Sequence, residues 1–272
     1  MQIDLGGKVA IVTGAGRGIG REITLALARE GVITVALDLN STDLENLSRE
    51  VEAITPDAMH AVCDVRDADG IRSIVDTASE NLGGIDILVN NAGVVGDALV
   101  DELDEGTWDL IQDVNVKGTF LMCRAVIPHM KRRGSGRIIN AASFAAISPR
   151  VGSIAYATSK AAVAHFTRGL AGEVGPWNIT VNAYAPGMIP TAMNHFAELP
   201  DDKKAELLDT LTLRRWGSAA DIANLICFLS SDQASYITGT LIDVSGGKLA
   251  TQIPSEAYDR FNAYGEEGVD PA

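Results

Sequence analysis

Short aliphatic and β-branched runs alternate with helix-length amphipathic segments along the chain, the pattern of βαβ units closing a parallel sheet. Seven runs read as strands: Lys8 to Thr13, Val32 to Leu37, Ala58 to Cys63, Ile85 to Asn90, Arg137 to Ala142, Asn178 to Tyr184 and Leu241 to Val244. Several are nearly unbroken Val/Ile/Ala stretches, as expected of strands covered by helices on both faces. Gly31, the Gly83-Gly84 pair and Gly175-Pro176 punctuate helix ends, and Ser41, Thr42 or Asp43 can cap the second helix. The expected fold is α/β: a doubly wound, Rossmann-like parallel sheet of seven strands with helices on both faces.

Two stretches break the rhythm. Residues 187–213 hold Pro190, Pro200, the acidic pair Asp201-Asp202 and a short helical pattern, so they read as an insertion after the sixth strand. Insertions of that length in a compact domain are usually functional lids. Residues 251–272 carry five acidic side chains against Arg260 alone and read as an acidic C-terminal tail, solvated or packed on a neighbouring subunit. Residues 1–250 form the expected single domain.

Composition narrows the function. The 272 residues are 46% hydrophobic and only 5% aromatic, which suits one large aliphatic core. A net charge of −14 repels phosphate backbones and anionic membrane surfaces, so neither nucleic acid nor a membrane is an expected partner. The first residues lack a basic stretch followed by an apolar core, and a cytoplasmic protein is expected. Cys63, Cys123 and Cys227 are far apart and read as core residues, and His60, His129, His165 and His195 have no metal-ligand spacing. No metal is expected.

Candidate chemistry begins directly after the first strand, where TGAGRGIG opens onto a helix. A pyrophosphate needs exposed backbone N–H groups and no side chain in the way, and a glycine loop at a helix N-terminus supplies both. Gly14, Gly18 and Gly20 give a GxxxGxG spacing, different from GxGxxG, with Arg17 and Ile19 between them. Asp38 ends the second strand, where an acid can accept hydrogen bonds from both hydroxyls of an adenosine ribose and would repel a 2′-phosphate. Arg17 argues the other way, because a guanidinium beside the loop could pair with that phosphate. NAD is the expected cofactor, ahead of NADP.

A second constellation lies further on. Tyr156 and Lys160 are four residues apart on one helical face in AYATSKAAVAHF. A phenol titrates near 10 and is a poor base unless a nearby cation favours phenolate. Lys160 can supply that cation. Ser143 ends the fifth strand, at the edge where parallel α/β sheets bind ligands, and its hydroxyl can donate to a carbonyl oxygen.

Together TGAGRGIG, Asp64-Val65, NNAG at Asn90 to Gly93, Asn115 in DVNVKG, Ser143, Tyr156, Lys160 and Pro186-Gly187 resemble the compact short-chain dehydrogenases/reductases, from Lys8 to Gly247. The resemblance implies an NAD-binding catalytic domain and a homotetramer or homodimer. It implies Tyr156 as general acid/base, Lys160 holding the nicotinamide ribose and lowering the tyrosine pKa, Ser143 fixing substrate and Asn115 organising a water in a proton relay. Asp64 and Val65 would meet the adenine, Asn91, Ala92 and Gly93 would line the cofactor, and Ile189 and Thr191 would grip the carboxamide. Tyr156 phenolate would take the hydroxyl proton as hydride leaves the adjacent carbon, and return it in the reverse reaction.

Only Ala157, Thr158 and Ser159 separate Tyr156 from Lys160, whereas enoyl reductases of the family generally use a gap of six, so secondary-alcohol and ketone chemistry is expected. Phe144, Ala145, Val95, Met188, Met193 and Phe196 suggest a mainly apolar substrate pocket, and Arg150 could recognise a carboxylate or phosphate. Family 3-hydroxybutyrate dehydrogenases use Gln, His and Lys where Val95, Ala145 and Ser153 stand, which disfavours that substrate. A polyol, sugar or alicyclic alcohol is expected. The alternatives are a 3-oxoacyl thioester, whose reductases commonly prefer NADP, and a non-catalytic NAD-binding regulator, which the presence of Ser143, Tyr156 and Lys160 disfavours.

Overall fold

The structure is a computed structural model that describes residues 3–191 and 196–266. Its elements run β1 (Val9–Thr13), α1 (Gly18–Arg29), β2 (Ile33–Asp38), α2 (Ser41–Glu52), β3 (Met59–Val62), α3 (Ala68–Leu82), β4 (Ile87–Asn90), α4 (Glu105–Gln112) and α5 (Gly118–Arg133). They continue with β5 (Gly136–Ala141), α6 (Ile154–Val174), β6 (Ile179–Pro186), α7 (Asp201–Leu208), α8 (Ala219–Ser230), β7 (Leu241–Val244) and α9 (Ser255–Glu266). A π-helical stretch, Asp113–Lys117, joins α4 to α5.

The seven strands form one sheet in the order β3-β2-β1-β4-β5-β6-β7, parallel throughout. The chain winds outward from β1 to β3, then returns to place β4 on the other side of β1. Loops at the C-terminal ends of β1 and β4 therefore diverge and leave a crevice, the position where open α/β sheets bind ligands.

Strand alternation divides the core. Ala10 and Val12 of β1 face one layer with Ile23 and Leu27 of α1 and Ile222 and Ile226 of α8. Val9 and Ile11 face the other layer with Val75 of α3, Val126 of α5 and Leu170 of α6. Both sheet faces are thus sealed, which explains why β1 and β4 are buried at every position.

The expected strands are present with shifted ends. The third and fourth are shorter, and the sixth continues to Pro186 because Tyr184, Ala185 and Pro186 pair with β7. The cap of α2 is Asn40 rather than Ser41, Thr42 or Asp43; its side chain accepts from Asp43 N at 3.1 Å, which places Ser41 already inside the helix. Gly83 closes α3 in the left-handed conformation at φ 77°.

Residues 187–213 include α7 and a short turn, Phe196–Glu198, and Met193 lies outside the described residues. Thr212 and Leu213 hydrogen-bond to the backbone of Gly247 and Gly246, tying this stretch to the segment after β7. The C-terminal region departs from a plain solvated tail. It forms α9, whose Tyr258 hydroxyl donates to Thr212 O at 2.9 Å while Arg214 lies over the Tyr258 ring. Among the described residues no helix is long and apolar enough to cross a membrane.

Candidate active site

A cleft of about 510 Å³ lies over the crevice. The glycine loop supplies Gly14, Arg17, Gly18 and Ile19 to its wall, together with Asp38 from β2 and Asp64-Val65 from after β3. Asn91, Ala92 and Gly93, Tyr156, Lys160, Pro186 and Thr191 complete the expected set that faces it.

The loop needs its glycines for separate reasons. Gly14 and Gly18 have φ 62° and 57°, which L side chains rarely adopt. Gly20 is required by contact: a Cβ there would stand 2.0 Å from Gly14 O and 2.5 Å from Asn91 Nδ2. It lies beneath the loop and packs α1 against it rather than lining the cleft. Gly187 has a similar role, since an added Cβ would meet Ser245 Cα at 2.5 Å.

Asn91 anchors the loop from the opposite strand. Its amide nitrogen donates to Thr13 O and Gly14 O, both at 3.1 Å, and its oxygen accepts from the buried Tyr184 hydroxyl at 3.0 Å. Thr13 Oγ1 accepts from the Asn91 and Ala92 amides, both at 3.0 Å. Thr13 and Tyr184 are thus site residues that sequence reasoning missed. Gly16 is another: its N–H donates to Asp38 Oδ2 at 2.9 Å. Its signal was present as a fourth glycine in TGAGRGIG.

Asp64 is gripped by Arg66, whose Nε lies 3.0 Å from each carboxylate oxygen and whose Nη2 lies 2.6 Å from Oδ2. That hydrogen bond holds the Asp64 carboxyl below its ordinary pKa. Arg66, which also lines the cleft, was not singled out from the sequence.

Tyr156 and Lys160 project from successive turns of α6, and Lys160 Nζ lies 5.6 Å from the Tyr156 ring centroid. Lys160 is buried and donates to Ala141 O at 2.8 Å. Burial pushes its pKa down to about 8. Burial also raises the Tyr156 pKa, opposed by a hydrogen bond with Ser143. At this phenol the effect of burial outweighs that of Ser143. Ser143 is buried just past β5, where its Oγ accepts from Ala145 N at 3.1 Å.

Asn115 sits in the π-helical stretch and is 1% exposed. Its side chain accepts from Val94 N at 2.8 Å and donates to Val94 O at 3.0 Å and Ser159 Oγ at 2.9 Å. These bonds hold the Asn91–Val94 segment against α6, so the side chain is a brace for the cleft wall.

The other expected residues differ in placement. Ile189 is 3% exposed, and its side chain joins the core layer of α1 and α8. Met188 and Ala145 are buried, while Val95 is exposed. Thr191 stands over Gly18, 3.7 Å from where its Cβ would lie. Phe196 stacks on Trp216 with ring centroids 5.6 Å apart. Arg150 is ion-paired with Asp97, so its charge is already countered. Phe144 begins a short turn directly after Ser143.

The arrangement can cradle a dinucleotide, hold its ribose through carboxylates, and present a phenol and a hydroxyl to one oxygen atom of a small molecule.

Comparison with known proteins agrees with this architecture. Residues 8–201 match the family model for short chain dehydrogenase. The chain is 39% identical over 243 residues to a 3-oxoacyl-acyl-carrier-protein reductase FabG of Thermotoga maritima, covering 89% of this chain and 98% of that one. It is 37% identical over 245 residues to a protein of the same name from Pseudomonas aeruginosa, covering 90% and 98%. Among solved structures, one described as a short-chain alcohol dehydrogenase from Sinorhizobium meliloti 1021 superposes with TM-score 0.87 at 38% identity, covering 92% of this chain and 99% of the other. Levodione reductase superposes with TM-score 0.86 at 33% identity, covering 91% and 99%. With a family match over residues 8–201 and relatives 37–39% identical along nearly their whole length, the chain belongs to the short-chain dehydrogenase/reductase family of oxidoreductases.

Proposed function

We propose that the protein interconverts a ketone and a secondary alcohol with a nicotinamide cofactor, NAD in preference to NADP, and that Tyr156 moves the proton. The observation that carries this reading is the meeting of Tyr156 and Lys160 in the cleft, with Lys160 Nζ 5.6 Å from the phenol ring centroid. A positioned phenol with a buried cation beside it is suited to general acid/base work.

The cradle fits the cofactor because Gly14 and Gly18, which line the cleft, leave no side chain between the backbone and a pyrophosphate. Asp38 holds the adenosine ribose, Asp64 and Val65 border the adenine, and Asn91 to Gly93 and Thr191 border the nicotinamide half. When bound, the nicotinamide supplies hydride acceptance or donation. Ser143 donates a hydrogen bond to the substrate oxygen, keeping its own proton, and fixes the carbon beside it. Tyr156 gives its phenolic proton to that oxygen in reduction and takes it back in oxidation. Lys160 binds the adjoining ribose and, as a cation below about pH 8, favours the phenolate.

For the substrate, the names of the relatives favour a 3-oxoacyl thioester over the polyol, sugar or alicyclic alcohol expected from the sequence. Asp38, which repels a 2′-phosphate, and the neighbours named for an alcohol dehydrogenase and levodione reductase support the second reading. In either case we propose a cytoplasmic homo-oligomer, with residues 1–250 as its catalytic domain and 187–213 as the substrate loop.

The test is absorbance at 340 nm with NADH or NADPH and a panel of 3-oxoacyl thioesters and alicyclic ketones, and with NAD and polyols in reverse. Tyr156→Phe abolishes turnover while NADH binding persists. Full activity in that variant sinks the mechanism.

A further inference from the structure

Because α6 carries both Tyr156 and Lys160, whatever seats its first turn sets where the phenol meets substrate. The helix does not seat itself. Ser153, its N-cap, makes no side-chain bond to the helix amides, and its hydroxyl donates instead to Arg150 O at 2.9 Å.

Support comes from the segment after β4. Ala98 N donates to Gly152 O at 2.8 Å, and Ala98 and Ser153 form an isolated parallel bridge. One residue earlier, Asp97 pairs with Arg150. Gly152 has φ 82°, a left-handed turn immediately before the N-cap. At its other end the segment is fixed too. A Cβ on Gly93 would lie 3.3 Å from Lys160 Nζ, and Val94 is held through both backbone groups by Asn115. A strap of five residues, 94–98, thus runs from the cleft wall beside Lys160 to the start of the helix that bears Tyr156.

We propose that this strap is a positioning device for the reaction: the Ala98–Gly152 hydrogen bond, with the Asp97–Arg150 pair beside it, holds the first turn of α6 so that Tyr156 stands at the substrate oxygen. The proposal rests on Tyr156 being the acid/base. The backbone bond sets the register, because the ion pair is exposed on both sides and such pairs contribute little alone. Small displacements matter here, since a misplacement of about 1 Å in a reacting group costs on the order of 100-fold in rate.

The experiment compares steady-state kinetics and NADH affinity of Ala98→Pro, which removes the donor, with Ala98→Gly, which keeps it. The expected result is kcat lowered about tenfold in Ala98→Pro, with KM and NADH affinity within about twofold of wild type and Ala98→Gly near wild type throughout. A charge swap covers the case in which proline unfolds the loop: Arg150→Asp sets two carboxylates against each other beside the Ala98–Gly152 bond and so lowers kcat by repulsion rather than by loss of the weak pair, and Arg150→Asp with Asp97→Arg restores it. Wild-type kcat in Ala98→Pro, or, where that variant does not fold, in Arg150→Asp, overturns the strap. Tyr156→Phe is measured alongside: an inactive Tyr156→Phe with unaffected strap variants overturns this proposal alone, whereas an active one overturns the catalytic reading and the strap with it.

Discussion

Asp38 accepts the Gly16 amide proton at 2.9 Å, which makes the acid at the end of β2 part of the glycine loop. Its other oxygen accepts from Asn40 N at 3.0 Å. The carboxylate therefore shapes the loop in addition to its proposed contact with a ribose. Asp38→Ala is expected to lower NAD affinity about tenfold or more, because a hydrogen bond to a charged group contributes about 1.5–3 kcal/mol. Asp38→Asn keeps an acceptor but removes the charge, so it should raise kcat/KM with NADP relative to NAD. An unchanged cofactor ratio in Asp38→Asn would count against the assigned preference.

Gly20→Ala should be more damaging than its size suggests. The added methyl would stand 2.0 Å from Gly14 O, a backbone atom that can yield only by moving the loop. Overpacking of this kind costs about 1–3 kcal/mol. Fluorescence titration with NADH should show lost affinity, and a wild-type dissociation constant would refute the close-packing argument.

Much of this architecture is legible in the sequence because it depends on local chemistry. Unbroken Val and Ile runs, the glycines of TGAGRGIG and the spacing of Tyr156 from Lys160 each act within a few residues. Contacts between distant segments were not legible. Tyr184 looks like an ordinary strand residue until folding brings its hydroxyl to Asn91, 93 positions away. Ile189 follows a Pro-Gly turn that could aim it either way, and only the placement of α8 turns it into the core. Tyr258 gains its bond to Thr212 only once 187–213 has folded back on the segment after β7.

Lys160 gives stability a pH signature. Its folded-state pKa is lowered to about 8 from an ordinary value near 10.5. Between those values the unfolded chain binds more protons than the folded one, so unfolding free energy rises with pH. Relative to Lys160→Met, the wild type should gain about 3 kcal/mol between pH 7 and pH 11, an order-of-magnitude figure from the shift. Urea unfolding of both proteins at several pH values checks it; a constant difference would contradict the buried cation.

Asn115→Ala should lower both stability and turnover. It leaves the Val94 amide and carbonyl without their partners, at about 1–3 kcal/mol for a buried group left unsatisfied. Thermal melts give the first effect and steady-state assays the second. A variant with wild-type melting temperature and kcat would show that the brace is dispensable.

The π-helical stretch at Asp113–Lys117 lets one continuous rod serve two neighbours. Before it, α4 packs on α6; after it, α5 packs on α3. A single π-type bulge adds one residue to the winding and turns the downstream surface by about 100° relative to an uninterrupted α-helix. The stretch acts as a phase converter: Ile111 upstream and Met122, Val126 and Met130 downstream are each buried, although one unbroken α-helical stripe would not serve both neighbours. Removing one residue between 113 and 117 would leave composition and hydropathy almost untouched, yet rotate every apolar side chain of α5 away from its sheet.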